Sequence, residues 1–137
     1  MGVALPTKCE ISFDFKSTGG TSSNEHRMFI APKSLYNGSG QPTYGFYFEN
    51  AGGSNGQVGY RESGRSTTTG NSYTLSPNTY YNLKLVKDGT SITYYVDNSS
   101  KLSISPSWVN NYSDWCIFYC LWNSGTAWVK NIKFKTL

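Results

Sequence analysis

The sequence predicts an all-β domain of two antiparallel sheets packed as a sandwich or jelly roll, and three observations carry that prediction. In the stretch Thr79–Asp97, TYYNLKLVKDGTSITYYVD, an Asp-Gly pair sits between alternating apolar residues, the strongest short-range hairpin signal. Roughly ten short segments alternate with period two between Gly-, Ser- and Asn-rich turns. No segment carries a helical stripe, and none repeats.

A chain of 137 residues is one domain with room for a sizeable core. We set its boundaries at 8–137, with 1–7 as an N-terminal extension. Aromatics make up 16% and charged residues only 15%, which excludes disorder and coiled coil. The net charge of +4 comes without a dense basic run, so nucleic acid is not an expected partner. No stretch is apolar enough to insert in a membrane, and the N-terminus lacks the apolar core of a signal peptide. Cys116 and Cys120, four residues apart on one strand, lie roughly 13 Å apart, too far to bridge. Cys9 could pair with either, but three buried free thiols are the expectation, which fits folding in a reducing cytoplasm. One histidine and no Cys-x-x-Cys spacing give no metal site.

The first strand, Lys8–Lys16, turns Cys9, Ile11, Phe13 and Phe15 inward. Ser17–Glu25 is a loop, and His26–Ala31 a short strand stopped by Pro32. Lys33–Pro42 reads as a turn-rich loop exposing Tyr36. In Thr43–Asn50, Tyr44, Phe46 and Phe48 point inward and Gly45, Tyr47 and Glu49 outward. AGGSNG turns the chain into Gln57–Glu62, with Val58 and Tyr60 inward and Gln57, Gly59 and Arg61 outward. Tyr73 and Leu75 mark an edge strand within the polar stretch 63–76.

In the hairpin, a two-residue turn on Asp88-Gly89 sets Leu85 opposite Ile92, Leu83 opposite Tyr94 and Tyr81 opposite Val96. Leu102 and Ile104 belong to a short strand ended by Pro106, and Trp108 and Tyr112 to the loop 107–113. Asp114–Trp122, DWCIFYCLW, is apolar on both faces, so it is expected to be a central strand covered on each side. Its core face is assigned to Cys116, Phe118 and Cys120, leaving Trp115, Ile117, Tyr119 and Leu121 toward a groove. Asn123-Ser124-Gly125 turns the chain into a last strand where Trp128, Ile132 and Phe134 alternate with Lys133 and Lys135.

Two of these runs carry a resemblance. YNLKLVKDGTSITYYVDN, with its aromatic-led strand, Gly turn and Tyr-Val-Asp ending, and CIFYCLWNSGTAWVKNIKFK resemble the later strands of laminin-G-like, concanavalin A-like sandwich domains. LPTKCEISFDFK is similar to their first strand. The resemblance implies two antiparallel sheets with the first and last strands as neighbours. It places the chain among lectins, carbohydrate-binding modules, adhesins and phage tail proteins. Calcium is common in that family, but no run of carboxylates here matches its ligands, so no cofactor is assigned.

Glycoside hydrolysis needs two positioned carboxylates. Glu10 and Asp14 share the solvated face of the first strand, and the Glu-x-Asp-x-x-Glu motif of one hydrolase family is absent. Glu49 is the best single acid, with Glu62 on the adjoining strand. A nucleophile triad has no Gly-x-Ser-x-Gly to build on, and the chain is not expected to be an enzyme. A binding face has more support. Outward Tyr47, Glu49, Gln57 and Arg61, with glycines between them, offer an aromatic ring and hydrogen-bonding groups to a sugar. Trp115 and Tyr119 would line a groove that Trp108 and Tyr112 rim. The expected function is a non-catalytic, lectin-like module for a cell-surface or polymeric glycan, on a virion or cell surface. A structural or assembly module making protein contacts is the alternative, and a glycoside hydrolase the second.

Overall fold

The computed structural model describes residues 3–18, 26–36, 40–50, 55–68, 73–121 and 125–137, and two antiparallel sheets stack within them. One has five strands in the order β11 (Ala127–Thr136), β1 (Lys8–Ser17), β7 (Tyr81–Asp88), β8 (Ser91–Val96) and β9 (Ser99–Ile104). The other runs β10 (Trp115–Leu121), β2 (His26–Pro32), β3 (Gly45–Asn50), β4 (Asn55–Glu62) and β5 (Arg65–Thr68), with β6 (Tyr73–Thr74) also paired to β4. The first and last strands are neighbours, and the only described helix is the 3₁₀ turn Lys33–Leu35.

The inward sets of the two sheets interlock as period-two patterning requires. Ile11, Phe13, Phe15, Leu83, Leu85, Ile92, Tyr94 and Val96 meet Met28, Ile30, Phe46, Phe48 and Val58. Tyr94 is fully buried, and its hydroxyl donates to the Gly59 carbonyl at 2.7 Å, so burial costs no hydrogen bond. Phe46 packs against two indoles, 5.0 Å from Trp108 and 5.6 Å from Trp115.

The segment 1–7, read as an extension, is tied in from Val3 onward. Val3 and Trp115 exchange both backbone hydrogen bonds, and Leu5 packs on the core. The buried Lys87 ammonium donates to the carbonyls of Pro6 and Thr7. All three cysteines are free thiols.

Four expectations are corrected. In the hairpin, Asp88 stays in the strand opposite Ser91, and the turn is Gly89-Thr90. Gly89 has φ +62° and Thr90 is not in the left-handed region, the pattern of a type II′ turn. Asp88 is held in the strand by its place opposite Lys8, with a 3.1 Å ion pair, and Gly89 N–H donates to Thr7. Leu85 therefore faces Tyr94 and Leu83 faces Val96. The shift is an even step, so each side chain keeps its expected face.

Second, β10 is an edge strand and not a central one. It is apolar on both faces because one lines the core and the other lies under Tyr36, whose ring sits 4.4 Å from Phe118. Third, those faces are reversed. Trp115 and Ile117 enter the core between the sheets, while Phe118 and Cys120 join a second cluster with Phe29, Ala31 and Tyr47 on the far face.

Fourth, β11 does not alternate throughout. Asp14 faces Lys130 but Ser12 faces Lys133, so one extra residue is inserted, and Asn131 takes φ +53°. Val129 before the bulge and Phe134 after it both face the core side, opposite Phe15 and Ile11. Trp128 is thereby separated from Ile132 and Phe134 and points outward.

Candidate functional site

The outer face of the six-stranded sheet is built from three rows of side chains. Strand pairing sets Phe118, Phe29, Tyr47, Gly59 and Thr68 in one row across five strands. Cys120, Arg27, Glu49 and Gln57 form the row on one side. On the other side, Cys116 pairs with Ala31, Gly45 with Arg61, and Arg61 in turn with Ser66.

The polar centre of this face is a pair of guanidiniums converging on one amide. Arg27 Nη1 donates to Gln41 Oε1 at 2.8 Å and Arg61 Nη1 donates to the same oxygen at 2.6 Å. Arg27 also grips Glu49 side-on, with Nη2 to Oε1 at 3.1 Å and Nε to Oε2 at 3.0 Å. Its guanidinium lies 5.0 Å above the Tyr47 ring. Arg61 further donates to the Pro42 carbonyl, Ser66 Oγ and the Gly64 carbonyl. Burial, then the neighbouring Arg27, holds the Arg61 guanidinium below its usual range.

The segment 40–42 thus lies across the centre of the face, and Cys120 Sγ reaches the Gly40 carbonyl at 3.3 Å. Tyr47 is 0% exposed and Glu49 3%, so neither offers a bare surface to a ligand. The glycines serve neighbours rather than ligand: a Cβ on Gly59 would lie 2.5 Å from the Tyr47 hydroxyl oxygen, and one on Gly45 2.7 Å from Ala31 Cβ. What stays accessible is the margin. Gln57, Arg61 and Gln41 are half-buried on the β3–β4 side, and Tyr36 and Phe118 form a half-buried aromatic pair on the β10 side.

The structure therefore brings Tyr47, Glu49, Gln57 and Arg61 onto one face, as the alternation of β3 and β4 implied. The other four expected residues lie elsewhere. Trp108 and Trp115 are core, 4% and 1% exposed, and Tyr112 packs against Trp115 and Tyr44 instead of rimming a groove. Tyr119 is on the core-side face of β10, where its hydroxyl is hydrogen-bonded to His26 Nδ1 at 2.6 Å. Leu121 lies on the same strand, but its side chain is outside the described residues, as are the 51–54 turn, Asn37-Gly38 and Trp122.

Sequence reasoning missed Arg27, Gln41 and Phe118. The alternation of β2 could have placed Arg27, since it lies in the one strand whose outward positions are otherwise Phe29 and Ala31. Gln41 had no signal, because its position depends on how a loop folds back.

Glu49 has no carboxylate partner for hydrolysis among the described residues. Glu62 alternates with Arg61 and so belongs to the opposite face. Asp114 accepts from Ser34 N–H at 2.6 Å, level with Lys33. That is six residues along β2 from Arg27, or roughly 20 Å, against the roughly 5–9.5 Å that the reaction needs. Among the described residues no three His, Cys, Asp or Glu side chains gather as a metal site. No helix among them is long and apolar enough to cross a membrane.

Two sheets in this order make a concanavalin A-like jelly-roll sandwich, and solved structures of that fold are similar along almost the whole chain. The carbohydrate-binding module CBM66 from Bacillus subtilis superposes with TM-score 0.61 at 15% identity, over 96% of this chain and 76% of the module. Galectin LEC-6 from Caenorhabditis elegans gives TM-score 0.61 at 12% identity, over 96% and 89%. A structure described with the endo-acting O-glycanases that human gut microbiota express to initiate mucin breakdown gives 0.75 at 9%, over 98% and 71%. At these identities the likeness establishes the fold. No family model matches the sequence, and no curated protein matches it.

Proposed function

We propose that the chain is a non-catalytic, lectin-like module that binds a cell-surface or polymeric glycan on the outer face of its six-stranded sheet. The observation that carries this reading is the accessible margin of that face. Gln57, Gln41 and Arg61 offer donors and acceptors for hydroxyls, and Tyr36 on Phe118 offers an apolar ring to a sugar's C–H face. Glycan recognition is also the property named for the carbohydrate-binding module of the same fold. A shallow site of this kind gives weak monovalent binding, on the order of 0.1–1 mM. Effective attachment then comes from several copies, as on a phage tail, another virion structure or a cell-surface adhesin. Three free thiols fit folding in a reducing compartment before display.

A broad glycan array tests the reading. Tyr36→Ala and Gln57→Ala should each weaken a hit roughly tenfold, a loss of about 1–2 kcal/mol, with the far-ultraviolet circular dichroism of both variants unchanged at the assay temperature. Absence of any hit above a control sandwich domain would overturn it. Incubation with the bound glycan should release no reducing ends.

One observation favours the assembly-module reading as second. Between the outer edges of β10 and β11 the sandwich stays open as a crevice of about 450 Å³, lined by Val3, Leu5, Ile30, Ile117, Ile132 and Phe134. Ile132 is 60% and Phe134 48% exposed there, so a partner chain closing this edge would bury apolar surface. Co-purification of a stable partner lost in Phe134→Asp, with no glycan hit, would reverse the ranking.

A further inference from the structure

The outer face of the other, five-stranded sheet carries a second constellation that the glycan face does not use. The bulge at Asn131 sets Trp128, Lys130, Lys133 and Lys135 in one outward row along β11, opposite Lys16, Asp14, Ser12 and Glu10 of β1. Without the extra residue, strict alternation would point Lys133 and Lys135 toward the core. Beside this row stands Tyr80, just before β7. Lys16 Nζ lies 4.2 Å from the Trp128 ring centroid and 4.9 Å from that of Tyr80, and Lys130 Nζ lies 3.8 Å from Tyr80. The rings remain 39% and 37% exposed.

Charge is concentrated on this face. On its β11, β1 and β7 strands, Lys8, Lys16, Lys84, Lys130, Lys133 and Lys135 stand against Glu10, Asp14 and Asp88, an excess of three positive charges in a chain whose net charge is +4. Asp14 is held ionised by hydrogen bonds from Asn82 Nδ2 at 2.9 Å and Asn131 Nδ2 at 2.6 Å, with Lys130 and Lys133 adding to the effect.

We propose that this face is a separate binding surface for a linear anionic polysaccharide, a polyuronate or a sulfated glycan, laid along β11. Cation–π contacts fix the ammoniums of Lys16 and Lys130 on the two rings, which leaves their outer hemispheres free to meet carboxylate or sulfate. Lys133 and Lys135 continue the row at a strand spacing of roughly 6.6–6.8 Å. A flat sheet face does not enter a duplex groove, and each ring is capped by an ammonium where a base would stack. Membrane attachment would want aromatic side chains standing clear of the lysines, whereas Trp128, Tyr80 and Tyr95 each lie against a lysine ammonium.

Sodium alginate and dextran sulfate, with neutral dextran, duplex DNA and phosphatidylserine vesicles as comparison arms, test the proposal by affinity electrophoresis and titration. The intact chain should be retarded by both polyanions at about 20 mM salt. Retardation should be lost near 1 M salt, where the screening length shrinks to about 3 Å. Lys130→Gln/Lys133→Gln should weaken binding about tenfold and Trp128→Ala about threefold, whereas Asp14→Asn should tighten it about twofold. Gln57→Ala, on the other sheet, should change nothing here, so the two surfaces stand or fall separately. No retardation at low salt, wild-type binding by the folded double lysine variant, or equal binding to DNA or vesicles that ignores Trp128 would overturn the proposal.

Discussion

Replacing Arg27 with Met removes a guanidinium that contacts the Glu49 carboxylate through two of its nitrogens. The pair is deeply placed, with side-chain exposures of 11% and 3%, and makes two contacts at 3.1 and 3.0 Å. Breaking a buried ion pair from one side costs about 3–5 kcal/mol, because the surviving charge loses that counter-charge where water does not replace it. An exposed pair would cost only about 0–1 kcal/mol, so the measurement discriminates. Gln41 adds little, since its oxygen keeps the 2.6 Å bond from Arg61. For 137 residues the unfolding entropy is about 0.29 kcal/mol per kelvin, so the loss corresponds to roughly 10–17 °C in Tm.

Urea denaturation followed by tryptophan fluorescence is the assay, because Trp108 and Trp115 are buried and report global unfolding. The double variant Arg27→Met/Glu49→Leu should recover most of the loss, since it leaves neither charge buried. A loss under about 1 kcal/mol, or a double variant no more stable than Arg27→Met alone, would refute the view that this pair is buried under the 40–42 segment.

Three further outcomes are expected. Gly59→Ala should cost about 2–3 kcal/mol by overpacking, since the new Cβ would lie 2.5 Å from both the Tyr47 hydroxyl oxygen and the Thr67 carbonyl; an unchanged urea midpoint would contradict that geometry. Burial holds the His26 imidazole below its ordinary value, so on acidification the unfolded chain takes up that proton first. Its contribution is therefore full above about pH 6.5 and falls as pH drops below that, toward the depressed folded value. Thermal melts at steps between pH 7.5 and 5 should show this decline in the wild type and a shallower one in His26→Asn. Burial also pushes the Cys9 and Cys120 thiols up, so alkylation should be slow in the native protein and reach three sites after denaturation without reductant.

The fold was legible because it rests on period-two alternation, a signal each strand carries alone. Cys9, Ile11, Phe13 and Phe15 announce their face whatever they pair with, and so do Phe46 and Phe48. Pairing is less local. Both Asp88-Gly89 and Gly89-Thr90 can make a two-residue turn, and the choice was made by Lys8 and Thr7 from eighty residues away. The same holds for β10. A strand apolar on both faces is covered on both, but nothing in its sequence says whether the cover is a sheet or the ring of Tyr36.

The site was half legible for a related reason. Alternation placed Tyr47, Glu49, Gln57 and Arg61 on one face, but exposure depends on a loop that alternation does not describe. Gln41 lies in a turn-rich segment with no period, and its side-chain amide oxygen takes hydrogen bonds from Arg27, which lies over Tyr47, and from Arg61. On β11 the error ran the other way. Reading the strand as unbroken put Trp128 with Ile132 and Phe134, an apolar face of no evident use. One left-handed residue, Asn131, divides it into an apolar lining for the open edge and an outward row of Trp128 and three lysines. Asn tolerates positive φ better than most residues, and its side chain also ties down Asp14. A bulge of this kind costs ladder hydrogen bonds and is retained where it re-aims side chains. That physical point ties the polyanion surface to the fold: the charged row exists because the strand is irregular, not in spite of it.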